Sequence, residues 1–298
     1  MKKIGFIGLG KMGENMILNL LEKNYSVVVY NRHPEKTRKL AKHKNIVPSF
    51  SYPEFVSKIP KPRAIFIMVT AGKPVDEVLK NLTPLISRGD ILIDGGNSHY
   101  EDSIRRHNML GKKGFYFLDA GISGGIFGAR HGASITVGGD KNAFKKTEQI
   151  FKDLSAKNGH GYFGLSGSGH FLKTIHNGIE YSLLESYAEG FEILNKSKYK
   201  FNLKNVSEVW SNGSVIRGFI MQLSEKIFSR GLKLQEVKGK IGGGETGTWA
   251  VEIAKKENVE TETIKHALMK RKNSMKKQSF STKFVSAIRK EFGGHEEP

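Results

Sequence analysis

The chain has 298 residues and a mass of 33.2 kDa, enough for two modest domains or one large one. Its 38% hydrophobic and 26% charged residues exclude a disordered chain, and no apolar run approaches the roughly 20 residues that a membrane helix needs. The absence of cysteine excludes disulfides, thiolate zinc sites and a cysteine nucleophile. The start, MKKIGFIGLG, is too short and glycine-rich for a secretory signal, so we expect a cytoplasmic protein.

The chain is strongly basic, with 48 lysines and arginines against 29 acidic residues and a formal net charge of +19. A positive field attracts anions. The charge therefore has three alternative explanations: solubility, binding of a phosphorylated small molecule, or binding of a nucleic acid. The lysine-rich stretch from Lys265 to Lys290 is the best argument for nucleic acid, but it lacks regularly interleaved aromatic residues and matches no nucleic-acid module. We interpret it as a solvated helix face, and expect no nucleic-acid partner and no membrane contact.

Two segments of different texture follow one another along the chain. The first alternates amphipathic stretches, such as Gly13–Glu22 and Val75–Leu85, with apolar runs at Ile4–Ile7, Val27–Tyr30, Ala64–Val69, Ile91–Ile93, Tyr116–Leu118 and Ser134–Val137. This alternation predicts an α/β domain with a doubly wound, mostly parallel sheet over residues 1–165. From Phe171 to Tyr187 the apolar residues step by four, which predicts an all-helical domain over residues 166–298.

A glycine motif follows the first predicted strand. Residues 8–13 read GLGKMG, a G-x-G-x-x-G between a strand and a helix. In that context Gly8 makes the tight turn, Gly10 admits a pyrophosphate to the backbone, and Gly13 lets the helix pack on the strand. The pattern predicts a Rossmann-type dinucleotide site formed by Gly8, Leu9, Gly10, Lys11, Met12 and Gly13.

The end of the second strand bears on the choice between NAD and NADP. The strand ends in Asn31, Arg32 and His33, about 20 residues past the glycines, where an acidic residue would bond the ribose 2′-hydroxyl. No acid is present. Asn31 can donate to a 2′-phosphate and Arg32 can make charge-assisted bonds to it, which favours NADP. The alternative is that Arg32 is a solvated loop residue.

Two glycine-containing segments follow later strands. The first, residues 94–98, reads DGGNS, and the second, residues 119–125, reads DAGISGG. Open α/β sheets bind ligands at such strand ends. Asn97 offers a donor and an acceptor, and Ser123 offers a hydroxyl beside the backbone N–H groups of Gly124 and Gly125. Each segment could equally be an ordinary turn.

A third segment places polar side chains along one helix face. Lys173, His176, Asn177, Glu180 and Tyr181 fall at i, i+3, i+4, i+7 and i+8. A lysine, a histidine, an amide, a carboxylate and a phenol on one stripe suit neither a core nor a surface. The stripe therefore predicts a catalytic or binding site.

The motifs GLGKMG, NRHPEK, MVTAG, IDGGNS, DAGISGG, GSGHFLKTIHNGIEY and RKEFGGH together resemble the 6-phosphogluconate dehydrogenases, decarboxylating enzymes of the pentose phosphate pathway. The resemblance runs along nearly the whole chain, and the length is similar to the shorter bacterial form. Related β-hydroxyacid dehydrogenases share the glycine motif, the SGG element and the lysine, but typically carry an asparagine where His176 stands.

The resemblance implies a role for each matching residue. Lys173 matches the family's general base and Glu180 its general acid, and Arg271 matches a phosphate-binding arginine. The substrate contacts it implies are Asn97, Ser123, Gly124, Gly125, His176, Asn177 and Tyr181. The cofactor contacts it implies, beyond the glycine motif, are Asn31, Arg32, His33, Thr70, Ala71, Gly72 and Asn97. Short members that use NAD tend to carry aspartate at the Asn31 position, which again favours NADP.

The segment before one tryptophan departs from the family pattern. Residues 244–250 read GETGTWA, without the basic residue that the family usually has there. Part of the phosphate site is therefore unassigned. Thr246 remains a candidate contact, and Lys238 or Lys240 could supply the missing positive charge.

The last motif bears on assembly. Arg289 and His295, in R-x-x-F-G-G-H, match tail residues that reach the site of the neighbouring subunit. We see no sequence feature that would fold this glycine-containing tail back locally. The resemblance implies an obligate homodimer, or a tetramer of dimers.

The activity that the resemblance implies is oxidative decarboxylation of 6-phospho-D-gluconate to D-ribulose 5-phosphate and CO2, with NADP, or alternatively NAD, as cofactor. Lys173 would take the proton of the C3 hydroxyl, and after CO2 leaves Glu180 would protonate C1 of the enediol to give ribulose 5-phosphate. No metal is expected, because the β-keto group accepts the electrons. The alternative is a non-decarboxylating β-hydroxyacid dehydrogenase or reductase.

Overall fold

A computed structural model describes residues 2–229 and 234–298. The chain divides into two compact units, residues 1–173 and 174–298, and the division falls within one long helix. The sequence placed the domain boundary a few residues earlier, at 165/166.

The first unit is built on one mixed sheet. Among the described residues its strands are β1 (Lys2–Ile7), β2 (Tyr25–Tyr30), β3 (Ile46–Pro48), β4 (Ala64–Ile67), β5 (Ile91–Asp94), β6 (Tyr116–Ser123), β7 (Ala133–Gly139) and β8 (Ser155–Tyr162). Their order is β3-β2-β1-β4-β5-β6-β7-β8, parallel except that β7 runs antiparallel to β6. The carboxyl ends of β1, β2, β4 and β5 therefore share one edge, as the α/β prediction requires.

Two strands were not predicted from the sequence. β3 has three half-buried residues, too few for a visible apolar run. β8 reads SAKNGHGY and contains Asn158 at φ 60°, so it lacks the β-branched pattern. Both are edge strands of the sheet, and their extended conformation is set by pairing with the neighbouring strand rather than by local residue preference.

Helices cover both faces of the sheet. In the first unit they are α1 (Lys11–Glu22), α2 (Pro34–Leu40), α3 (Tyr52–Ser57), α4 (Lys73–Leu82), α5 (Tyr100–Gly111), α6 (Gly125–His131) and α7 (Lys141–Leu154). Asp140 caps α7 by accepting the Ala143 N–H at 2.9 Å. Two buried clusters form the core, one including Phe6, Met16 and Phe151, the other including Phe55, Leu79 and Leu92. The strands are consequently buried on both faces, which explains their unbroken apolar runs.

The second unit is helical throughout its described residues, as predicted. It contains most of α8 (Ser168–Lys196), followed by α9 (Leu203–Ser211), α10 (Phe219–Ser229), α11 (Glu245–Lys256), α12 (Glu262–Asn273) and α13 (Phe280–Gly293). Its core packs α8, α10 and α13 around Phe191, Met221 and Phe284. A capping box of Ser279 and Thr282 fixes the start of α13. No helix in the described ranges is long and apolar enough to cross a membrane.

Candidate active site

The glycine motif forms the turn that its sequence predicts. Gly8 has φ 98°, and a Cβ there would lie 2.2 Å from the Met68 carbonyl oxygen. A Cβ at Gly13 would lie 2.2 Å from the Gly8 carbonyl oxygen, so α1 packs directly on the turn. A Cβ at Gly10, in contrast, would meet no protein atom within 4 Å. Internal packing therefore requires Gly8 and Gly13, whereas Gly10 leaves open space before a helix N-terminus, which fits a pyrophosphate.

Asn31 anchors the end of β2 to this turn. Its Oδ1 accepts the Leu9 N–H at 3.1 Å, and its Nδ2 donates to the His33 carbonyl oxygen at 3.2 Å. The amide thus holds backbone atoms of two loops, a role that the sequence did not indicate. Arg32 is exposed, and its Nε donates to His33 Nε2 at 3.1 Å. Among residues 31–33, Arg32 therefore has an exposed guanidinium that a 2′-phosphate could contact.

The loops after β4 and β5 lie side by side at the same edge of the sheet. A Cβ at Gly96 would lie 2.9 Å from the Val69 carbonyl oxygen, so the two loops are in close contact. Thr70 and Asn97 are exposed, and Gly72 has φ 82° with no protein atom near its Cβ position. The structure thus brings the predicted cofactor loop of residues 70–72 next to the loop that carries Asn97.

Lys173 is placed against β6. A Cβ at Gly121 would lie 2.6 Å from Lys173 Cβ and 2.5 Å from the Gly169 carbonyl oxygen, so only glycine allows the helix to approach this strand. β6 ends at Ser123, and Gly124 and Gly125 begin α6 with φ values of 120° and 60°. Lys173 therefore lies beside the strand that leads into the predicted substrate loop.

Asp119 fixes the start of α8. It is fully buried, with Oδ1 accepting the Gly167 N–H at 2.7 Å and Oδ2 accepting the His170 N–H at 3.0 Å. A carboxylate that accepts N–H groups at the start of a helix is favourable in both charge and hydrogen bonding. Asp119 is part of the DAGISGG motif, but the sequence alone did not assign it this role.

The predicted stripe continues along α8 into the second unit. His176 Nδ1 lies 3.2 Å from Asn177 Oδ1 and 3.9 Å from Glu180 Oε2. About half of the His176 side chain is exposed, whereas Asn177 and Tyr181 are buried. The stripe therefore has an open edge at His176 and a buried edge at Tyr181.

Tyr181 joins the stripe to α11 and α12. Its hydroxyl lies 3.0 Å from Thr246 Oγ1, and a Cβ at Gly247 would lie 2.6 Å from its ring. The guanidinium carbon of Arg271 lies 3.4 Å from the ring centroid, a cation–π contact. Thr246 is thus placed to orient Tyr181, and Tyr181 to orient Arg271.

Arg289 is the second guanidinium of this cluster. Burial lowers the pKa of Arg271, and the charges of Glu180, Glu185 and Glu245 partly offset that effect. Burial, together with the charge of Arg271, lowers the pKa of Arg289 to about 10, although the charges of Glu180 and Glu245 oppose this shift. Two poorly solvated guanidiniums whose charges act on each other are the kind of group that an anion stabilises. The sequence offered Lys238 or Lys240 for the missing positive charge, and in this chain Arg289 is a further cation close to Arg271.

The end of the C-terminal tail is bonded to its own chain through Glu297, whereas the predicted contact of Arg289 and His295 with a neighbouring subunit stays a prediction. Arg289 lies within α13, and Glu297 accepts the Lys238 N–H at 2.9 Å, the Gly239 N–H at 2.6 Å and the Ser286 hydroxyl at 2.8 Å. A terminal carboxylate that collects backbone N–H groups is a strong local anchor, which sequence spacing does not show. His295 is exposed on this anchored tail.

Two family profiles match this chain. The profile described as the NAD binding domain of 6-phosphogluconate dehydrogenase matches residues 3–164, and the profile of the C-terminal domain of 6-phosphogluconate dehydrogenase matches residues 169–296. The chain belongs to the 6-phosphogluconate dehydrogenase family. Its Rossmann-type domain and helical domain are those of this family.

Two relatives match nearly the whole chain. YqeC of Bacillus subtilis (strain 168), which carries a provisional name as a 6-phosphogluconate dehydrogenase, is 44% identical over 98% of each chain. A relative from Haloferax volcanii, named as NAD(+)-dependent and decarboxylating, is 36% identical over 99% of this chain and 98% of its own length.

Solved structures share the fold of this 6-phosphogluconate dehydrogenase family member. The Plasmodium falciparum 6-phosphogluconate dehydrogenase, solved in apo form, with NADP+ and with 6-phosphogluconate, matches with a TM-score of 0.84 and 31% identity. That match covers 91% of this chain and 62% of the Plasmodium chain. A 3-hydroxyisobutyrate dehydrogenase of Mycobacterium tuberculosis has a TM-score of 0.76 at 19% identity, covering 97% of this chain and 98% of its own. The latter likeness shows a common fold.

Proposed function

We propose that this protein catalyses the oxidative decarboxylation of 6-phospho-D-gluconate to D-ribulose 5-phosphate and CO2, with reduction of NADP. The main observation behind this proposal is the α8 stripe. Its last residue, Tyr181, contacts Arg271, and Arg289 lies in the same cluster. This arrangement combines groups for proton transfer with a pair of guanidiniums for a phosphate. It supports a sugar acid with a phosphate at one end.

The phosphate end would bind the arginine pair. Arg271 is 3% exposed, and its stacking on Tyr181 holds the guanidinium plane in place before substrate arrives. A pre-positioned guanidinium makes two parallel bonds to a phosphate with little loss of side-chain entropy. Binding of this remote group orients C3 of the sugar acid for reaction. Asn97, Ser123, Gly124, Gly125, His176 and Asn177 complete the proposed substrate contacts.

The proton transfers would belong to α8. Lys173, in neutral form, takes the proton of the C3 hydroxyl, and the nicotinamide cofactor, when bound, accepts the C3 hydride. The resulting 3-keto acid releases its C1 carboxylate as CO2 while the Lys173 ammonium donates to the C3 oxygen. Glu180 then gives a proton to the former C2 of the enediol, the carbon that becomes C1 of ribulose 5-phosphate. Lys173 and Glu180 are two helical turns apart, about 10 Å between Cα atoms along the axis, which long side chains can bridge around one substrate.

The proposed cofactor is NADP, with NAD as the alternative. Relatives include an enzyme named as NAD(+)-dependent and one solved with NADP+, so the choice depends on residues 31–33 of this chain. An acid is missing there, and Arg32 is exposed at the end of β2. A guanidinium at this position favours the extra phosphate of NADP. Gly8, Leu9, Gly10, Lys11, Met12 and Gly13 would hold the pyrophosphate, with Thr70, Ala71 and Gly72 beside the nicotinamide half.

We further propose a homodimer, or a tetramer of dimers. Three apolar residues of α8 in the second unit, Ile179, Leu183 and Ile193, are each at least 45% exposed. Apolar side chains at this spacing on one helix form a stripe that suits burial in an interface. Sedimentation of the purified protein measures the assembly.

One assay tests the reaction directly. Purified protein is given 6-phosphogluconate with NADP or with NAD, and reduced cofactor and CO2 are both measured. The proposal expects equal amounts of reduced cofactor and CO2, with the higher kcat/KM for NADP. Turnover of a non-phosphorylated 3-hydroxy acid without CO2 would instead indicate a non-decarboxylating β-hydroxyacid dehydrogenase.

A further inference from the structure

Arg106 is a fully buried arginine at the edge of the sheet where the predicted cofactor and substrate loops meet. It lies on α5, and 0% of its side chain is exposed. Its Nη2 donates to the Gly72 carbonyl oxygen at 3.0 Å, and its Nε donates to Asp76 Oδ1 at 2.8 Å. These bonds hold the loop after β4 and the first turn of α4.

The remaining nitrogen holds the loop after β5. Nη1 of Arg106 donates to Ser98 Oγ at 3.2 Å and to Asp94 Oδ2 at 3.3 Å. Asp94 is itself fully buried, and it accepts the Ser98 hydroxyl at 2.8 Å and the Gly96 N–H at 3.0 Å. One guanidinium therefore bonds to both loops, on either side of the exposed Asn97 and Thr70.

Stability alone does not explain this arrangement. Burying a guanidinium and a carboxylate costs desolvation that their attraction repays only in part, and replacing both partners by apolar side chains of similar volume often leaves a fold equally stable, whereas removing one partner leaves the other charge buried and unpaired. What an apolar side chain cannot do is fix four acceptors from three segments in one geometry.

We propose that Arg106 is a positioning residue that sets the loop of residues 70–72 and the Asn97 loop in one register, and so couples dinucleotide binding to turnover. The expected effect on turnover rests on the proposed function, whereas the expected effect on dinucleotide binding depends on the dinucleotide site alone. Loss of Arg106 should weaken dinucleotide binding and lower turnover, while the protein still folds.

The same two strands supply a matched control at their other ends. Arg63 precedes β4 and Asp90 precedes β5, both are buried, and Arg63 Nη1 donates to Asp90 Oδ2 at 2.9 Å. Arg63→Met therefore removes a buried ion pair from the same strand pair, away from the loops. Arg106→Met and Arg63→Met should both lower the melting temperature.

The test compares these variants with the unaltered protein in three measurements: melting temperature, Kd for NADPH from its fluorescence, and kcat and KM with 6-phosphogluconate. Arg106→Met should weaken NADPH binding by about tenfold and lower kcat by roughly 10²-fold, because a shift of about 1 Å in a positioning loop has effects of this size. Arg63→Met should leave Kd and kcat within about twofold. If both variants behave alike, or if Arg106→Met changes only the melting temperature, the proposal is overturned.

Milder variants keep the test open if Arg106→Met does not fold. Ser98→Ala removes the hydroxyl on the Asn97 side and should lower kcat more than NADPH affinity, whereas Asp76→Asn acts on the α4 side and should weaken NADPH binding more than kcat. Equal effects of the two would contradict coupling through Arg106. If the unaltered protein does not turn over 6-phosphogluconate, the proposed function fails, and the NADPH measurements still decide the role of Arg106.

Discussion

The guanidinium carbon of Arg271 lies 3.4 Å from the centroid of the Tyr181 ring, and the Tyr181 hydroxyl lies 3.0 Å from Thr246 Oγ1. A residue of the α8 stripe thus holds the proposed phosphate-binding arginine. The ring supplies attraction to the guanidinium, and the hydroxyl fixes the ring. Two experiments separate these contributions.

Arg271→Lys should raise the KM for 6-phosphogluconate by roughly 10- to 100-fold, because an ammonium neither stacks on Tyr181 nor binds phosphate in the same two-pronged way. Tyr181→Phe keeps the ring and should raise KM only about threefold to tenfold. Thr246→Val serves as the control for the hydroxyl bond, and it should match Tyr181→Phe. Steady-state kinetics at fixed NADP measures all three, and an Arg271→Lys enzyme with unchanged KM would contradict the assignment.

The cofactor assignment is tested at the end of β2. Arg32→Ala should lower kcat/KM for NADP by about 30-fold or more and change that for NAD by less than about threefold, because only NADP carries the 2′-phosphate. Asn31→Ala is the matched control. Asn31 bonds the Leu9 N–H and the His33 carbonyl, so its loss should weaken both cofactors alike. Equal losses for NADP and NAD in Arg32→Ala would show that Arg32 does not read the 2′-phosphate.

The division of proton transfer along α8 is tested by two conservative substitutions. Lys173→Met keeps the stem and removes the base, so turnover should fall by roughly 10² to 10⁴. Glu180→Gln should lower turnover with little change in substrate affinity, and should spare reduction of a 3-keto analogue, which needs no protonation of the enediol. Stopped-flow measurement of reduced cofactor separates the steps. Near-normal oxidation by Lys173→Met, or normal turnover by Glu180→Gln, would refute the assignment.

Burial raises the pKa of the Glu185 carboxyl to about 7, although the charges of Lys270 and Arg271 act to lower it. Its Oε2 has no hydrogen-bond partner among the described residues, and Glu189, Glu262, Lys265 and His266 line the same groove. The folded-state pKa of Glu185 lies above the unfolded value of about 4.3. The contribution of Glu185 to the free energy of unfolding is therefore fully present below a pH of about 4.3, and it is lost as the pH rises through about 7.

Glu185→Gln should therefore leave the free energy of unfolding nearly unchanged near pH 4.5 and raise it at pH 8, by up to about 3 kcal/mol. Urea unfolding at both pH values measures the difference. Glu189→Gln is the control, because Glu189 is half-exposed and pairs with Lys270 at 2.6 Å, and its loss should cost less than about 1 kcal/mol. A Glu185→Gln protein that is less stable at pH 8 would show that the ionised carboxylate is needed beside Arg271.

The placement of Arg289 is tested by mixing subunits. In this chain Arg289 shares a cluster with its own Glu180, Tyr181 and Arg271. After confirmed subunit exchange, a mixture of Lys173→Met and Arg289→Ala chains should regain no activity, because every site keeps one defect. Recovery of activity would show that Arg289 serves the neighbouring subunit, as the family resemblance implies. His295→Ala in place of Arg289→Ala tests the tail in the same way.

The predicted helices and strands show where local sequence was sufficient. The strands around Phe6, Phe66 and Ile93 are buried on both faces, so their apolar runs are unbroken and visible. β3 and β8 were missed because β3 is very short and β8 is polar, and pairing with an adjacent strand decides them. Arg106 was missed as well, since its acceptors come from segments up to 34 residues away.

The sequence alone determined the class of fold, the dinucleotide turn and the α8 stripe, because each depends on residues within a few positions of one another. Glycine spacing and helical periodicity are local properties. Only the tertiary structure decided that Asn31 holds the glycine turn, that Arg271 stacks on Tyr181, that Arg289 joins Arg271, and that Glu297 ties down the tail. These contacts join elements far apart in sequence, and burial of the charged groups, which sets their strength, exists only after the chain has folded.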